Sequence, residues 1–235
     1  MAELISGLSA GAIRANLERV SAEIDAAVER SGLERPAGGV QVLAATKYVP
    51  CEELPTLAAA GVRLVGENRA QDLQEKVGAH GGLFEWDFIG QLQSRRVRLI
   101  VPHVRLIHSV ASDSALRELE RHRHLARPGL RILVEVNVAG EEGKAGVEPG
   151  QLDSFIARSP LPVAGLMSMP PLARDPEASR PWFAALRRLA RERGLEHLSM
   201  GTSQDYLVAA EEGATIVRIG TRLYDPGPVA GGPSH

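Results

Sequence analysis

Ile13, Leu17, Val20, Ile24 and Val28 recur at spacings of three and four, with Arg14, Glu18, Glu23 and Arg30 among them. That spacing predicts one long amphipathic helix. After a break at Pro36, Gly38 and Gly39 the pattern changes to VQVLAAT (40–46), a short, nearly all-apolar run typical of a strand buried on both faces in a parallel sheet. Seven comparable runs follow: VRLVG (62–66), WDFIG (86–90), VRLIHSV (104–110), RILVEVNV (131–138), VAGLMSM (163–169), HLSMG (197–201) and TIVRIG (215–220). Helical spacing fills the intervals at 52–60, 69–77, 112–125, 149–158, 181–193 and 204–212. Strands alternating with helices of this length build βαβ units. Eight of them in under 240 residues fit a compact (β/α)8 TIM barrel better than a doubly wound sheet. The leading helix is then an extra element, expected to cover one barrel end. The expected organisation is one barrel domain over residues 1–225 and a flexible Pro/Gly-rich tail over 226–235.

Composition narrows the class. Lys and Arg number 27 against 29 Asp and Glu, a formal charge of −2, so no excess positive charge is available to coat nucleic acid or an anionic membrane. Cys51 is the sole cysteine, which excludes a disulfide framework and a cysteine-rich zinc site. The first twenty residues lack a basic stretch followed by a continuous apolar one, and no run of about 18 apolar residues occurs. A cytoplasmic protein without membrane or nucleic-acid partners is the expectation.

In a (β/α)8 barrel chemistry sits at the C-terminal ends of the strands. Those ends read Lys47, Glu67 and Asn68, Gln91, Ser109, Asn137, Met167 and Ser168, Ser203, and Arg218 with Gly220 and Thr221. Only three of the 27 basic residues are lysines, at 47, 76 and 144. Lys47 directly follows an apolar strand. In a partly apolar barrel mouth desolvation would favour the neutral amine that attacks aldehydes, although a lysine that simply reaches water past a strand end is the ordinary alternative. Lys144, in AGEEGKAG, reads as a solvated or loop-ordering residue beside Glu141 and Glu142. Lys76, within a helix, reads as a surface charge. MGTS (200–203) and VRIGT (217–221) close the last two strands, and the loops after strands seven and eight commonly hold phosphate in barrels. Ser203 capping the following helix explains MGTS equally well. With a candidate Schiff-base lysine, a phosphorylated aldehyde is the economical ligand. No His, Cys, Asp and Glu spacing marks a metal site, and no nucleotide-binding glycine motif occurs.

VLAATKYVP, GENRAQDLQEK, WDFIGQLQSRR, IHSV, VEVNVAGEEGKAGV, GLMSMPP and LSMGTSQDYLVAAEEGATIVRIGTRLYD, in this order, resemble the pyridoxal phosphate homeostasis protein family, a single-domain relative of the alanine racemase N-terminal barrel (fold type III of the pyridoxal phosphate proteins). The likeness runs from about residue 10 to 225. It implies that Lys47 carries pyridoxal 5′-phosphate as an internal aldimine, that Ser203, Gly220 and Thr221 hold its phosphate, that Arg218 faces the pyridine nitrogen and that Asn68 lies near the cofactor. The sequence departs from the family at Gln91, where His is usual, and at Arg69, where an aromatic residue is usual. An arginine opposite the ring nitrogen donates a hydrogen bond without surrendering its proton, which suppresses the electron sink that catalysis needs. The related racemases compensate with a second base, supplied with the help of a further β-domain and a partner subunit, whereas the tyrosines here are only Tyr48, Tyr206 and Tyr224. The resemblance therefore implies a monomeric, non-catalytic carrier or regulator of intracellular pyridoxal phosphate, with apo-enzymes that use the cofactor as candidate partners. An amino-acid racemase or lyase of the same fold is the alternative, and a cofactor-free Schiff-base aldolase the third.

Overall fold

A computed structural model describes residues 4–34 and 38–226. Pro36 and nearly all of the 226–235 segment lie outside the described residues. All eight expected strands are present: β1 (Gln41–Ala45), β2 (Leu64–Glu67), β3 (Glu85–Phe88), β4 (Leu106–Val110), β5 (Arg131–Glu135), β6 (Val163–Met167), β7 (His197–Thr202) and β8 (Ile216–Ile219). They pair in parallel in sequence order, and β8 closes on β1 with Val42 opposite Val217 and Leu43 opposite Arg218. The helices are α1 (Ala10–Ser31), α2 (Leu54–Ala59), α3 (Ala70–His80), α4 (Val97–Ile100), α5 (Asp113–His122), α6 (Leu152–Ala157), α7 (Arg180–Glu192), α8 (Tyr206–Glu211) and α9 (Thr221–Tyr224). The single turns of α4 and α9, too short to show a helical period, are the two that hydrophobic spacing misses. None of the described helices is long and apolar enough to cross a membrane.

Strand alternation divides the core in two. Leu43, Leu106, Leu133, Met167 and Ile216 cluster inside the barrel. Their neighbours Ala44, Ile107, Val134 and Val217 belong to the larger cluster shared with the helices. The same parity puts Asp87, His108, Ser199 and Arg218 on the inward face, so the lumen is apolar and polar at once.

The leading helix does not cover a barrel end as expected. Helix α1 packs on α8, α9 and α2, in the outer ring, where the helix after β8 is reduced to one turn. Its buried stripe of Ile13, Val20, Ile24, Ala27 and Val28 supplies the apolar cover that α9 lacks. Asn16 fixes the register by donating from Nδ2 to the carbonyls of Leu223 (3.1 Å) and Asp225 (2.8 Å). Ser9 caps the start and Gly32, at φ 64°, ends the helix in a left-handed turn.

Candidate functional site

At the C-terminal ends of the strands lies a cavity of about 290 Å³, near the lower end of small-molecule clefts (about 300 Å³). Lys47, Asn68, Ser203, Arg218, Gly220 and Thr221 all line it. Sequence reasoning missed Ile5, Tyr48, Ile89, Met169 and Tyr224, which with Ala45, Thr202 and Gln204 complete its wall. Gln91 is exposed and outside the lining, as is Arg69, which precedes α3. Neither departure from the family pattern therefore lines the cavity. Asn137 is committed to its own loop, bonding Glu141 O (2.9 Å) and Glu148 Oε1 (3.2 Å). Ser109 is buried and donates to the carbonyl of Gly90. Lys144 pairs with Glu141 and orders that same loop.

Two turns make one corner of the cavity. Gly201 has φ +90°, and a Cβ there would stand 2.6 Å from the Cβ of Ala209 and 3.0 Å from the Cα of Tyr206. Only glycine allows both the left-handed backbone and this close seat on α8. The turn is closed by Asp205, whose carboxylate accepts from Thr202 N (2.8 Å) and from Ser179 Oγ (2.9 Å). Asp205, not Ser203, occupies the cap position of α8. The capping alternative for Ser203 is thereby removed. Ser203 Oγ instead accepts from Gly220 N at 3.1 Å, which leaves its own hydrogen to donate. The first amides of α9 lie beside it and, like those of any helix start, have no intrahelical partner.

Arg218 forms the opposite wall and is 7% exposed. Its Nη1 donates to Ser199 O (2.8 Å) and Ser199 Oγ (2.6 Å), and its Nη2 to Ser168 O (3.1 Å) and Met169 Sδ (3.0 Å). Four of the five guanidinium hydrogens are thus engaged, leaving the one on Nε. Burial pushes its pKa down to about 10, with Asp205 and Glu135 opposing; the group remains a cation and a pure donor at neutral pH. Glu135, on the inward face of β5, is raised above the ordinary carboxylate range by burial, against the charges of Arg218 and Lys144.

Lys47 follows β1 by two residues. The desolvation expected for it is absent: its side chain is exposed, with Nζ 4.5 Å from the centroid of the Tyr48 ring. Lys76 is the second correction. The helical pattern marks it as a surface charge, yet it is 5% exposed, its Nζ 2.5 Å from Glu67 Oε1 and 2.8 Å from Thr46 O. Glu67 also accepts from Thr46 Oγ1 (2.8 Å) and Asn68 N (2.9 Å). One buried ion pair therefore braces the residues next to both Lys47 and Asn68. Tyr224 donates to Ala45 O (3.1 Å), and burial, then the charge of Glu67, raises its pKa far above the ordinary phenol value. The signal available in the sequence was only that GEN and the lysine nine residues after its glutamate share one motif.

The family described as "Alanine racemase, N-terminal domain" matches residues 9–228. A pyridoxal phosphate homeostasis protein of Aquifex aeolicus is 42% identical over 219 residues, 88% of this chain and 95% of the relative. An unknown protein from Bifidobacterium adolescentis superimposes with a TM-score of 0.82 at 30% identity, covering 95% of this chain and 98% of the other. PipY of Synechococcus elongatus, in its structure with PLP bound, superimposes with a TM-score of 0.72 at 30% identity, covering 90% and 99%.

Proposed function

Because the chain belongs to the alanine racemase N-terminal domain family and, within it, to the pyridoxal phosphate homeostasis proteins, we propose that it binds pyridoxal 5′-phosphate, held covalently by the amine of Lys47, and serves intracellular homeostasis of that cofactor without appreciable turnover. The observation that carries this reading is the meeting of Lys47, Arg218 and the Ser203–Gly220–Thr221 corner in one cavity. The donor set suits the group. Ser203 Oγ and the first amides of α9 donate to a phosphate, and Nε of Arg218 donates to a pyridine nitrogen. The buried Oδ1 of Asn68, which has no partner among the described residues, is an acceptor awaiting one.

Bound pyridoxal phosphate supplies an electrophilic carbon and, when its ring nitrogen is protonated, an electron sink. Arg218 works against the second property. As a cation that keeps its proton it donates to the nitrogen without protonating it. Tyr224, which lines the cavity, is spent on Ala45 O and raised in pKa, which makes it a poor base. These features support carriage over turnover. The half-buried Cys51 as sole cysteine fits a reducing cytoplasm.

The test is borohydride reduction of protein loaded with pyridoxal phosphate, followed by peptide mass spectrometry. We expect one reduced adduct, on Lys47, absent in Lys47→Ala. A native protein that takes up no cofactor overturns the reading. Exchange of the α-proton of alanine or serine into deuterium, abolished in Lys47→Ala, would replace it with the enzyme reading.

A further inference from the structure

Behind Arg218, on the side away from the cavity, a line of buried polar groups crosses the lumen. Ser199 Oγ, which accepts from Arg218 Nη1, lies 2.9 Å from His108 Nδ1. His108 Nε2 lies 3.1 Å from Asp87 Oδ2. Asp87 in turn takes a two-point pair from Arg105, Nε to Oδ1 at 2.9 Å and Nη2 to Oδ2 at 3.1 Å. The chain joins β8, β7, β4 and β3; β4 and β7 are not neighbours in the sheet, so the serine–histidine bond spans the barrel interior. Ser199, His108 and Asp87 are all fully buried there, each at 0% exposure.

Its direction is determined at both ends. Asp87, both of whose oxygens take hydrogens from Arg105, accepts at Oδ2, so His108 Nε2 carries the hydrogen. Ser199 Oγ receives a hydrogen from Arg218 and must place its own on an acceptor, which Nδ1 provides only when bare. The two requirements select the same neutral tautomer. Burial, the largest influence on His108, keeps it neutral, and the charges of Arg218 and Arg105 act the same way against that of Asp87.

Taking the functional reading above as its premise, we propose that Ser199 and His108 are positioning residues that lock the Arg218 guanidinium so that Nε–H alone faces the cofactor's ring nitrogen. An arginine free to turn would present its two-pronged edge and seize the phosphate or a substrate carboxylate bidentately. With Nη1 tied to Ser199 and Nη2 to Ser168 and Met169, that edge is spent inside the wall. The lumen of this barrel thus holds an orientation device in the place where branched apolar side chains usually fill such barrels.

Two measurements test it. In cofactor-free protein with 15N-labelled histidine, His108 should show a bare Nδ1 and a protonated Nε2 at neutral pH; the opposite tautomer or an imidazolium overturns the chain. In protein loaded with pyridoxal phosphate labelled at the ring nitrogen, Ser199→Ala should move the nitrogen resonance toward that of a pyridine without a donor and speed cofactor release several-fold. His108→Gln, whose amide can accept from Ser199 and donate to Asp87, should leave both near native. A ring-nitrogen resonance unchanged in Ser199→Ala overturns the proposal. Failure of native protein to load overturns the functional reading instead, and the tautomer measurement, which needs no cofactor, then decides the chain by itself.

Discussion

Lys76 and Glu67 form an ion pair at 2.5 Å, with side chains only 6% and 0% exposed, and the same ammonium holds the carbonyl of Thr46 directly before Lys47. Removing one partner of such a pair strands a buried charge, which costs about 3–5 kcal/mol. Lys76→Met is therefore expected to lower unfolding free energy by about that amount in urea titrations, and Lys76→Met with Glu67→Gln by clearly less. A single variant as stable as native would show the pair to be solvated.

Ser203 is half-buried and accepts from Gly220 N, so its loss costs little in the fold and much toward a phosphate. A hydrogen bond to a charged group contributes about 1.5–3 kcal/mol. Ser203→Ala should weaken pyridoxal phosphate at least about tenfold while leaving pyridoxal, which lacks the phosphate, nearly unchanged. Fluorescence titration with both ligands checks this; equal losses would remove Ser203 from the phosphate corner.

Asn16 ties α1 to the carbonyls of Leu223 and Asp225, on either side of the end of α9. Asn16→Leu leaves these part-buried acceptors without their donor, at about 1–3 kcal/mol. Because α9 carries Thr221 into the cavity, we expect the variant to show faster amide exchange in α9 and weaker phosphate binding alongside lower thermal stability. Loss of stability with native exchange in α9 would confine the role of Asn16 to α1.

Burial holds His108 below its ordinary pKa of 6.5, and His103 and His197 are lowered for the same leading reason. As pH falls below about 6.5 the unfolded chain binds protons that the folded protein refuses. Stability contributed by the neutral imidazoles is therefore complete above that pH and declines below it, until the folded-state imidazoles titrate too. Denaturation midpoints measured from pH 8 to pH 5 should fall, and fall less in His108→Gln. A flat profile in both proteins would refute the burial argument.

The barrel is legible along the chain because its strands and helices are local patterns. Runs such as 40–46 and 131–138 are too apolar for a surface, and the three-and-four spacing from Ile13 to Val28 admits one face only. The site is legible to the same degree: Lys47, Ser203 and Arg218 stand at strand ends, and strand ends converge in this architecture whatever the side chains. The position of α1 was not, since a helix that packs beside a barrel and one that covers its end carry the same apolar stripe; the shortness of α9 decides between them.

By itself, then, the sequence determined the order of the eight strands, the helices long enough to show a period of 3.6 residues, and six of the residues that line the barrel mouth. Tertiary structure alone decided which charges leave water. Lys76 and Thr46 are 30 residues apart, and His108 and Ser199 are 91 apart. A side chain's exposure depends on what closes over it, and closure of a barrel brings together partners that no local period relates. That is why Lys47, expected to be desolvated, stands exposed, while Lys76, expected in solvent, is sealed beneath it.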